Sequence, residues 1–323
     1  MPGLKIIVPG LHTTVQGLKR IGYQDVGVPA SGPLDCVSLR LANALVGNPR
    51  GTAALELLLQ GPTCEVLADS LRLALVGGSA GMEIRSGDPR VIPAGQSVRL
   101  TQGEVFRIGA LGDSACAYLA VEGGLDIAPV LGSVSTYVRG AIGGFQGRRL
   151  QKSDLVPLRL AAADVRAECT LRRPLDLALE QPVRVVLGPQ ADYFTEAAVK
   201  TFLSSVYTVS PQSDRMGFRL EGPAVEHARG YNIVSDGVVP GSIQVPGSGR
   251  PIILMADNQT TGGYPKIATV VSADLPVVGR RKPGRPIRFI AVEVRQAELL
   301  RKEREAAIQR EIGGLRPVAH AIH

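Results

Sequence analysis

Three short polar clusters in the second half of the chain hold residue types that can bind a small polar molecule. They are SDR at residues 213–215, SDG at residues 235–237 with Gln244, and DNQTTGGYPK from Asp257 to Lys266. The third combines a carboxylate, two amides, hydroxyls, a phenol and an ammonium group. An ordinary turn needs neither the carboxylate nor the lysine, so this segment is interpreted as a functional loop.

The residue types indicate which substrates would suit these clusters. A lysine ammonium is a compact charge that suits an oxyanion, a carboxylate or a phosphate. Glutamine and asparagine each offer a donor and an acceptor, so they suit an amide or urea-like group. A carboxylate beside a lysine can shift the pKa of either group. The Asp-Arg pair at 214–215 is, by contrast, most often a structural ion pair in a turn.

Apolar runs on both sides of the third cluster predict the strands that hold it. Ser242–Val245 and Pro251–Met255 precede the loop, and Ile267–Val271 follows it. Gly262 and Gly263 lie inside the loop, where glycine allows backbone angles and close approaches that side chains forbid. We therefore expect a rigid scaffold with the polar loop at one rim, and connecting loops that bring the three clusters together.

Elsewhere the sequence predicts many short strands and few helices. Residues 55–59 and 71–75 alternate with period two, which is typical of barrel or sandwich strands. Asp35 is placed to cap a helix over Cys36–Val46. Asp192 or Thr195 would cap a second helix, which ends near residue 204. A third helix follows residue 294 and ends at a Gly-Gly pair at 313–314.

Residues Glu122–Arg149 are long, glycine-rich and without clear periodicity. A segment of this length in a compact domain is usually a lid or a binding loop. Its apolar content argues against disorder. We expect a semi-ordered loop near a site.

The two halves of the chain show a faint internal repeat. LELLLQGPTCEV at Leu55–Val66 resembles MGFRLEGPAVEH at Met216–His227, and each has a helix upstream and a strand led by Pro and Gly downstream. The shared order predicts a duplicated β-barrel unit. The first half would span residues 1–165, the second half, which carries the polar loop, 182–294, and a helical tail 295–323.

Composition excludes several classes of protein. The chain has 323 residues, 45% of them hydrophobic, which suits two domains with real cores. No apolar run approaches a membrane span, and MPGLKIIVPG is not typical of a signal peptide. The four cysteines lie far apart without a CxxC pair, so we expect free, mostly buried thiols and a cytoplasmic location.

The charge balance is basic, with a net charge of +7. Basic residues cluster at 148–152 and 280–288, but aromatic residues are only 4% of the chain and none lies within these clusters. A nucleic-acid stacking surface is therefore unsupported. Solvated barrel rims are favoured, followed by an anionic ligand or an acidic partner. His12 and His227 stand apart and His320 and His323 lie in the tail, so no metal site is expected.

Motifs of several nucleotide and cofactor proteins are missing from the sequence. It has no GxxxxGK[ST] loop for ATP and no lysine flanked by methionines to which biotin attaches.

Four long stretches resemble one family. They are Thr13–Asn43, Val130–Leu150, Ser213–Pro223 and Gly241–Val270, which contains IQVPGSGRPIILMADNQTTGGYPKIATV. The family is called allophanate hydrolase subunit 2, KipA-like, or the C subunit of 5-oxoprolinase, and it is similar to one half of the carboxyltransferase domain of urea carboxylase. The resemblance, from about Val8 to Val294, implies a mainly β fold of two tandem cyclophilin-like β-barrels with a few short helices and a C-terminal helix.

The resemblance implies a function in a hetero-oligomer. It points to an ATP-dependent hydrolase complex that opens 5-oxoproline to glutamate, whose site is shared with a KipI-like B subunit and joined by a third, larger subunit. One alternative is a carboxyltransferase subunit that acts on urea or a similar amide with a separate biotinyl carrier. The other is a non-enzymatic regulator that antagonises a KipI-like kinase inhibitor. The chain alone is expected to be inactive.

The resemblance also implies which residues contact the substrate. The residues assigned to catalysis are Lys266, Asp257 and Gln259. Those assigned to substrate binding are Asp214, Arg215, Gln244, Thr260, Gly263 and Tyr264, with Ser31 and Asp35 from the first half. Lys266 precedes an apolar run that would anchor its backbone, so it is assigned to stabilising negative charge on an amide-like substrate.

Overall fold

The computed structural model describes residues 2–318. The segments that alternate with period two form short β-strands in it. These residues form two compact units: one comprises residues 2–20, 35–177 and 307–318, and the other comprises residues 21–34 and 178–306. The segment 21–34 thus belongs to the second unit although it lies early in the sequence. The ranges 1–165, 182–294 and 295–323 stay a prediction of the domain boundaries, and His320 and His323 lie outside the described residues.

The described part of the first unit contains one α-helix and twelve strands before the chain passes to the second. The elements are β1 (Gly3–Val8), β2 (His12–Gln16), α1 (Cys36–Leu45), β3 (Ala54–Leu58), β4 (Thr63–Val66), β5 (Ser70–Val76), β6 (Met82–Ile84), β7 (Arg90–Ile92), β8 (Ser97–Thr101), β9 (Val105–Ile108), β10 (Cys116–Val121), β11 (Leu155–Pro157) and β12 (Cys169–Thr170).

Strands β1 to β11 form two sheets around one core. The first has the order β11-β1-β4-β9-β6-β7 and the second β2-β3-β10-β5-β8. Leu71, Leu73 and Leu75 of β5 face the core and are at most 3% exposed. Arg72, between them, is also fully buried, and its guanidinium binds Glu122 at 2.7 Å and Glu168 at 3.0 Å. Burial of an arginine requires such pairing.

The chain continues through the second unit in further strands and three α-helices, the last of which extends past residue 306 into the first unit. The elements are β13 (Val183–Leu187), α2 (Glu196–Ser204), β14 (Tyr207–Val209), β15 (Gly217–Glu221), β16 (Asp236–Gly237), β17 (Ser242–Gln244), β18 (Ile252–Leu254), β19 (Thr261–Gly262), β20 (Lys266–Val270), α3 (Leu275–Arg280), β21 (Pro286–Ile287), β22 (Phe289–Ala291) and α4 (Val294–Gly313). A last short strand, β23 (Arg316–Pro317), belongs to the first unit, where it pairs with β12.

The eight-stranded sheet of the second unit nearly closes into a barrel. Its order is β21-β14-β15-β18-β17-β20-β13-β22, and its two outer strands are separated along the chain by Arg288 alone. Phe202 of α2 stacks on Phe289 at 4.6 Å between ring centroids, with Tyr207 beside both. The prediction of a mainly β fold with few helices is confirmed. No helix within residues 2–318 is long and apolar enough to cross a membrane.

The repeated sequence element is a strand that ends at a Gly-Pro pair in both units. Strand β3 leads to Gly61-Pro62 and then to β4, whereas β15 leads to Gly222-Pro223 and then to irregular chain. There His227 makes an isolated bridge to Phe194. Duplication stays a prediction that this shared strand and turn support.

The segment Glu122–Arg149 is tied to the first unit by hydrogen bonds. Thr136 donates its backbone N–H to Val15 at 3.0 Å, and Gln16 donates its side-chain amide to the carbonyl of Thr136 at 3.1 Å. The fully buried Arg20 donates to the carbonyls of Val130 and Ser135. The segment was expected to be semi-ordered, but it is packed. Its hydrogen-bond partners lie more than a hundred positions away in the sequence.

Two other expectations from composition need correction. The basic cluster at 280–288 is not uniformly a solvated rim, since Arg280 and Arg281 are 0% and 3% exposed. Arg281 donates to the carbonyl of Gln181 at 2.8 Å, and burial lowers the pKa of its guanidinium. The cysteines are free as expected, but only Cys64 and Cys116 are buried, and burial raises the pKa of Cys64 to about 12.

Helix α1 begins where its predicted cap places it. The Asp35 carboxylate is fully buried and accepts hydrogen bonds from the backbone N–H groups of Val37 at 2.9 Å and Ser38 at 3.1 Å. Asp35→Ala should therefore lower the free energy of unfolding by about 1 to 2 kcal/mol, as lost N-caps do. Urea denaturation measures this change. Asp25→Ala, at an exposed position, is the control, and equal stability of the two variants would contradict the capping role.

Candidate active site

Arg215 and Asp257 form a buried ion pair in the second unit. Strands β15 and β18 are antiparallel with Gly217 opposite Leu254, so the residues before β15 lie beside those after β18. The Asp257 N–H accordingly donates to the carbonyl of Arg215 at 2.8 Å. The Arg215 guanidinium donates hydrogen bonds to both oxygens of Asp257, from Nε at 2.8 Å and from Nη2 at 3.1 Å. The two side chains are 5–7% exposed.

The same guanidinium reaches back to the segment 21–34. Its Nη2 donates to the carbonyl of Gly32 at 2.7 Å. The neighbouring Ser31 is fully buried in a left-handed conformation with φ of 51°, and its hydroxyl has no hydrogen-bond partner. Strained backbone of this kind often lies at functional sites. The structure therefore brings Ser31, predicted from the first half, next to the Arg215–Asp257 pair.

Lys266 begins β20 and points its ammonium at the segment that carries Asp236. Its Nζ donates to Oδ2 of Asp236 at 2.6 Å and to the carbonyl of Gly237 at 3.3 Å. Asp236 is there because β16 pairs with β19, which places Asp236 opposite Gly262. The lysine side chain is 2% exposed, whereas the carboxylate side chain is 53% exposed.

Gln244 lies at the centre of the cluster, opposite Lys266 in the β17–β20 ladder. Its Oε1 accepts from the amide of Gln259 at 3.3 Å, and its Nε2 donates to the carbonyl of Tyr264 at 3.5 Å. A Cβ at Gly262 would lie 2.3 Å from Nε2 of Gln244. The glycine is thus required for close approach; neither Gly262 nor Gly263 has the positive φ that the sequence suggested as an alternative reason.

Gln190 joins this cluster but was not among the predicted residues. Its Oε1 accepts from the backbone N–H of Lys266 at 3.1 Å, and its Nε2 lies 3.4 Å from Oδ2 of Asp236. Asp236 was noted in the second polar cluster but assigned no role. Gln190 follows β13, which pairs with β20, and nothing in the local sequence distinguishes it from a surface glutamine.

The remaining predicted residues have mainly structural contacts. Asp214 is exposed and accepts from the backbone of Met216 and Gly217 in its own turn. The carbonyls of Thr260 and Gly263 accept backbone bonds from Val238 and Ile233. Asp35 belongs to the first unit, where its carboxylate caps α1. These substrate contacts otherwise stay predictions, as does the exposed Tyr264.

The cluster offers groups for recognising a small, polar, anionic molecule. Two adjacent glutamine amides can match an amide in both donor and acceptor directions. The buried ammonium supplies a positive charge in a partly dehydrated setting, where charge interactions are stronger than in water. Within the described chain, no group of three or more His, Cys, Asp or Glu residues is placed to hold a metal ion.

A comparison with protein families identifies the family of this chain. Residues 26–291 match the family described as "Carboxyltransferase domain, subdomain A and B". The chain belongs to this carboxyltransferase domain family. All three polar clusters and the segment with Ser31 fall inside the matched range.

Curated members of the family with similar sequences have two kinds of name. The chain is 36% identical over 302 residues to the C subunit of 5-oxoprolinase from Escherichia coli, covering 94% of this chain and 95% of that protein. It is 33% identical over 326 residues to urea amidolyase of Saccharomyces cerevisiae, covering 95% of this chain but 17% of that protein. These family members are thus either subunits of similar length or parts of much longer enzymes.

Solved structures agree with the sequence comparison. The urea amidolyase of Kluyveromyces lactis superposes with a TM-score of 0.85 and 29% identity over 95% of this chain and 20% of that one. The protein TTHA0988 superposes with a TM-score of 0.79 and 36% identity over 90% of this chain and 56% of that one. The fold is therefore the one found in carboxyltransferase regions.

The Lys266–Asp236 pair makes a prediction for acid titration. The hydrogen bond from Lys266 holds the pKa of Asp236 below its ordinary value of 3.8, so the pair persists above that pH and is lost as the pH falls through the lowered pKa. NMR titration of the Asp236 carboxyl should show this low pKa. In a Lys266→Ala variant the pKa should rise towards 3.8, and an unchanged value would show that the ammonium does not bind Asp236 in solution.

Proposed function

We propose that this chain is a subunit of an ATP-dependent 5-oxoprolinase-type complex that opens 5-oxoproline to glutamate. The observation that carries the proposal is its 36% identity to the C subunit of 5-oxoprolinase over nearly the full length of both proteins. A relative that matches end to end supports a shared role better than one in which the match is a small part of a longer chain. The proposed partners are a KipI-like B subunit and a third, larger subunit.

The polar cluster of the second unit suits this substrate. 5-Oxoproline combines a cyclic amide with a carboxylate, and Gln244 with Gln259 can hydrogen-bond the amide while Lys266 attracts negative charge. Asp257 was predicted to be catalytic, but both of its oxygens are held by Arg215. Its role in this proposal is to position the loop from 257 to 266 through that pair.

ATP is proposed to bind another subunit of the complex. Its hydrolysis would supply the free energy for opening a stable lactam. A phosphate is usually held by free N–H groups at a helix start or by a glycine-rich loop. In this chain the starts of α1 and α2 are capped by the side chains of Asp35 and Thr195, so they do not fit a nucleotide.

A second candidate function is transfer of a carboxyl group to urea or a similar amide. It is favoured by the likeness to urea amidolyase, whose structure superposes with a TM-score of 0.85. The glutamine amides would hold urea as readily as a lactam. This function would need a biotinyl protein, whose carboxylated cofactor donates the carboxyl group.

Co-purification followed by an assay of 5-oxoproline with ATP separates these functions. We expect the purified chain alone to show no turnover and the complex with its partners to form glutamate. Turnover by the isolated chain would contradict the shared site. A requirement for a biotinyl protein would support the carboxyltransferase, and tight partner binding without any turnover would support the regulator of a KipI-like inhibitor.

Lys266→Ala tests the role of the ammonium. Truncating an ammonium that binds negative charge on the substrate costs roughly 3 kcal/mol, so kcat/KM of the assembled complex should fall about a hundredfold or more. Lys266→Arg should restore only part of this, because a planar guanidinium does not replace a point charge.

Lys200 of α2 gives a matched control, since it is an exposed lysine of the same unit. Lys200→Ala should leave kcat/KM unchanged in the same assay. Normal turnover by the Lys266→Ala complex would remove Lys266 from the site. Failure of that variant to assemble, with Lys266→Arg active, would make its role structural.

A further inference from the structure

The Lys266 ammonium is bound by a single segment, residues 229–239, which we call the strap. The ammonium lies at the start of β20, and both acceptors that the structure gives to its Nζ, Asp236 at 2.6 Å and Gly237 at 3.3 Å, come from the strap. The side chain of Lys266 is 2% exposed beneath it. Access to this charge therefore requires the strap, or at least the Asp236 side chain, to move.

The strap itself is lightly held. Apart from Ile233 and Val238, its residues from 229 to 239 are exposed, and Val234 is 91% exposed. Its strand β16 is two residues long and pairs with β19, which is equally short. Segments with few buried contacts and exposed backbone bonds open at low free energy.

The two members of the ion pair have opposite environments. Lys266 is fixed by its strand and by Gln190, whereas the Asp236 carboxylate is half in solvent. A carboxylate from another molecule would keep the buried ammonium paired, so the exchange costs only what the half-exposed Asp236 contributes, which is small. The Asp236 carboxylate thus lies where the carboxylate of another molecule also fits.

We propose that Asp236 occupies the carboxylate subsite of the unliganded chain, and that the substrate's carboxylate displaces it from Lys266 when the strap opens. The displacement proposal rests on the proposed function and adds to it the orientation in which the substrate binds. The carboxylate binds Lys266, and the amide faces Gln244, which lies opposite Lys266 in the β17–β20 ladder. Neighbouring strands are about 5 Å apart, a span that one small ring with a carboxylate covers.

The chain offers a matched pair of variants. Asp236→Asn removes the displaced charge at nearly the same size, and Asp192→Asn breaks another strap ion pair, between Asp192 and Arg229 at 2.7 Å, without touching Lys266. In the assembled complex Asp236→Asn should lower KM for 5-oxoproline roughly two- to fivefold with kcat little changed. Asp192→Asn should leave KM unchanged. A raised KM or a strongly lowered kcat for Asp236→Asn would show that Asp236 holds Lys266 in position, and would overturn the proposal.

A second readout does not depend on turnover. An amine-reactive reagent labels accessible lysines of the full chain, and mass spectrometry gives the rate at Lys266. We expect faster labelling in Asp236→Asn than in wild type or Asp192→Asn, and protection of Lys266 in Asp236→Asn by 5-oxoproline or acetate but not by the neutral lactam 2-pyrrolidone.

The two readouts separate failure of this proposal from failure of the proposed function. If the complex does not open 5-oxoproline but carboxylates protect Lys266, the subsite stands and the assigned reaction is wrong. If labelling of Asp236→Asn is no faster than wild type, or both carboxylates and the neutral lactam fail to protect Lys266, the displacement proposal is wrong whatever the complex turns over.

Discussion

The buried pair between Arg215 and Asp257 is the constraint on which the candidate site depends. The two side chains are 5–7% exposed. They tolerate burial only because Nε and Nη2 of the guanidinium donate to both carboxylate oxygens. Removing one partner of such a pair typically costs about 3 to 5 kcal/mol. The same arginine binds the carbonyl of Gly32, so one side chain fixes both the loop after β18 and the segment that carries Ser31.

The second ion pair differs from the first in a way that suits function. Lys266 is as buried as Arg215, but its partner Asp236 is half exposed on a strand of two residues. The Arg215–Asp257 pair therefore holds the loop in place. In the Lys266–Asp236 pair, the buried ammonium is bound by a carboxylate that another anion can replace. The glutamines between the two pairs offer amide donors and acceptors, which neither charge provides. Rigid support on one side and an exchangeable contact on the other suit a binding site built on a barrel rim.

Much of this arrangement was visible in the sequence. Alternation and caps predicted the strands beside the polar loop, the helix after Asp35 and the helix after Thr195, because these features depend on local chemistry. The three polar clusters, including Arg215, were recognised from residue types, and the resemblance to a family added Ser31. The prediction that barrel loops bring the clusters together agrees with the β15–β18 and β16–β19 pairings.

What the sequence could not show depends on contacts between distant residues. Gln190 lies 76 positions from Lys266, and no local signal sets it apart. The segment Glu122–Arg149 looked loose because its partners, Gln16 and Arg20, lie elsewhere. For Gly262 the sequence indicated either unusual backbone angles or a close approach, and only the position of Gln244 in the structure shows that the close approach is the reason.

The central claim is that the rim of the second unit, between Arg215–Asp257 and Lys266–Asp236, binds an amide-bearing carboxylate. The most direct measurement is a crystal structure of the assembled complex with 5-oxoproline. The account predicts the lactam amide within hydrogen-bond distance of Gln244 or Gln259, and the carboxylate on Lys266 with Asp236 displaced. Well-defined 5-oxoproline bound away from these residues, with the Lys266–Asp236 pair intact, would contradict it.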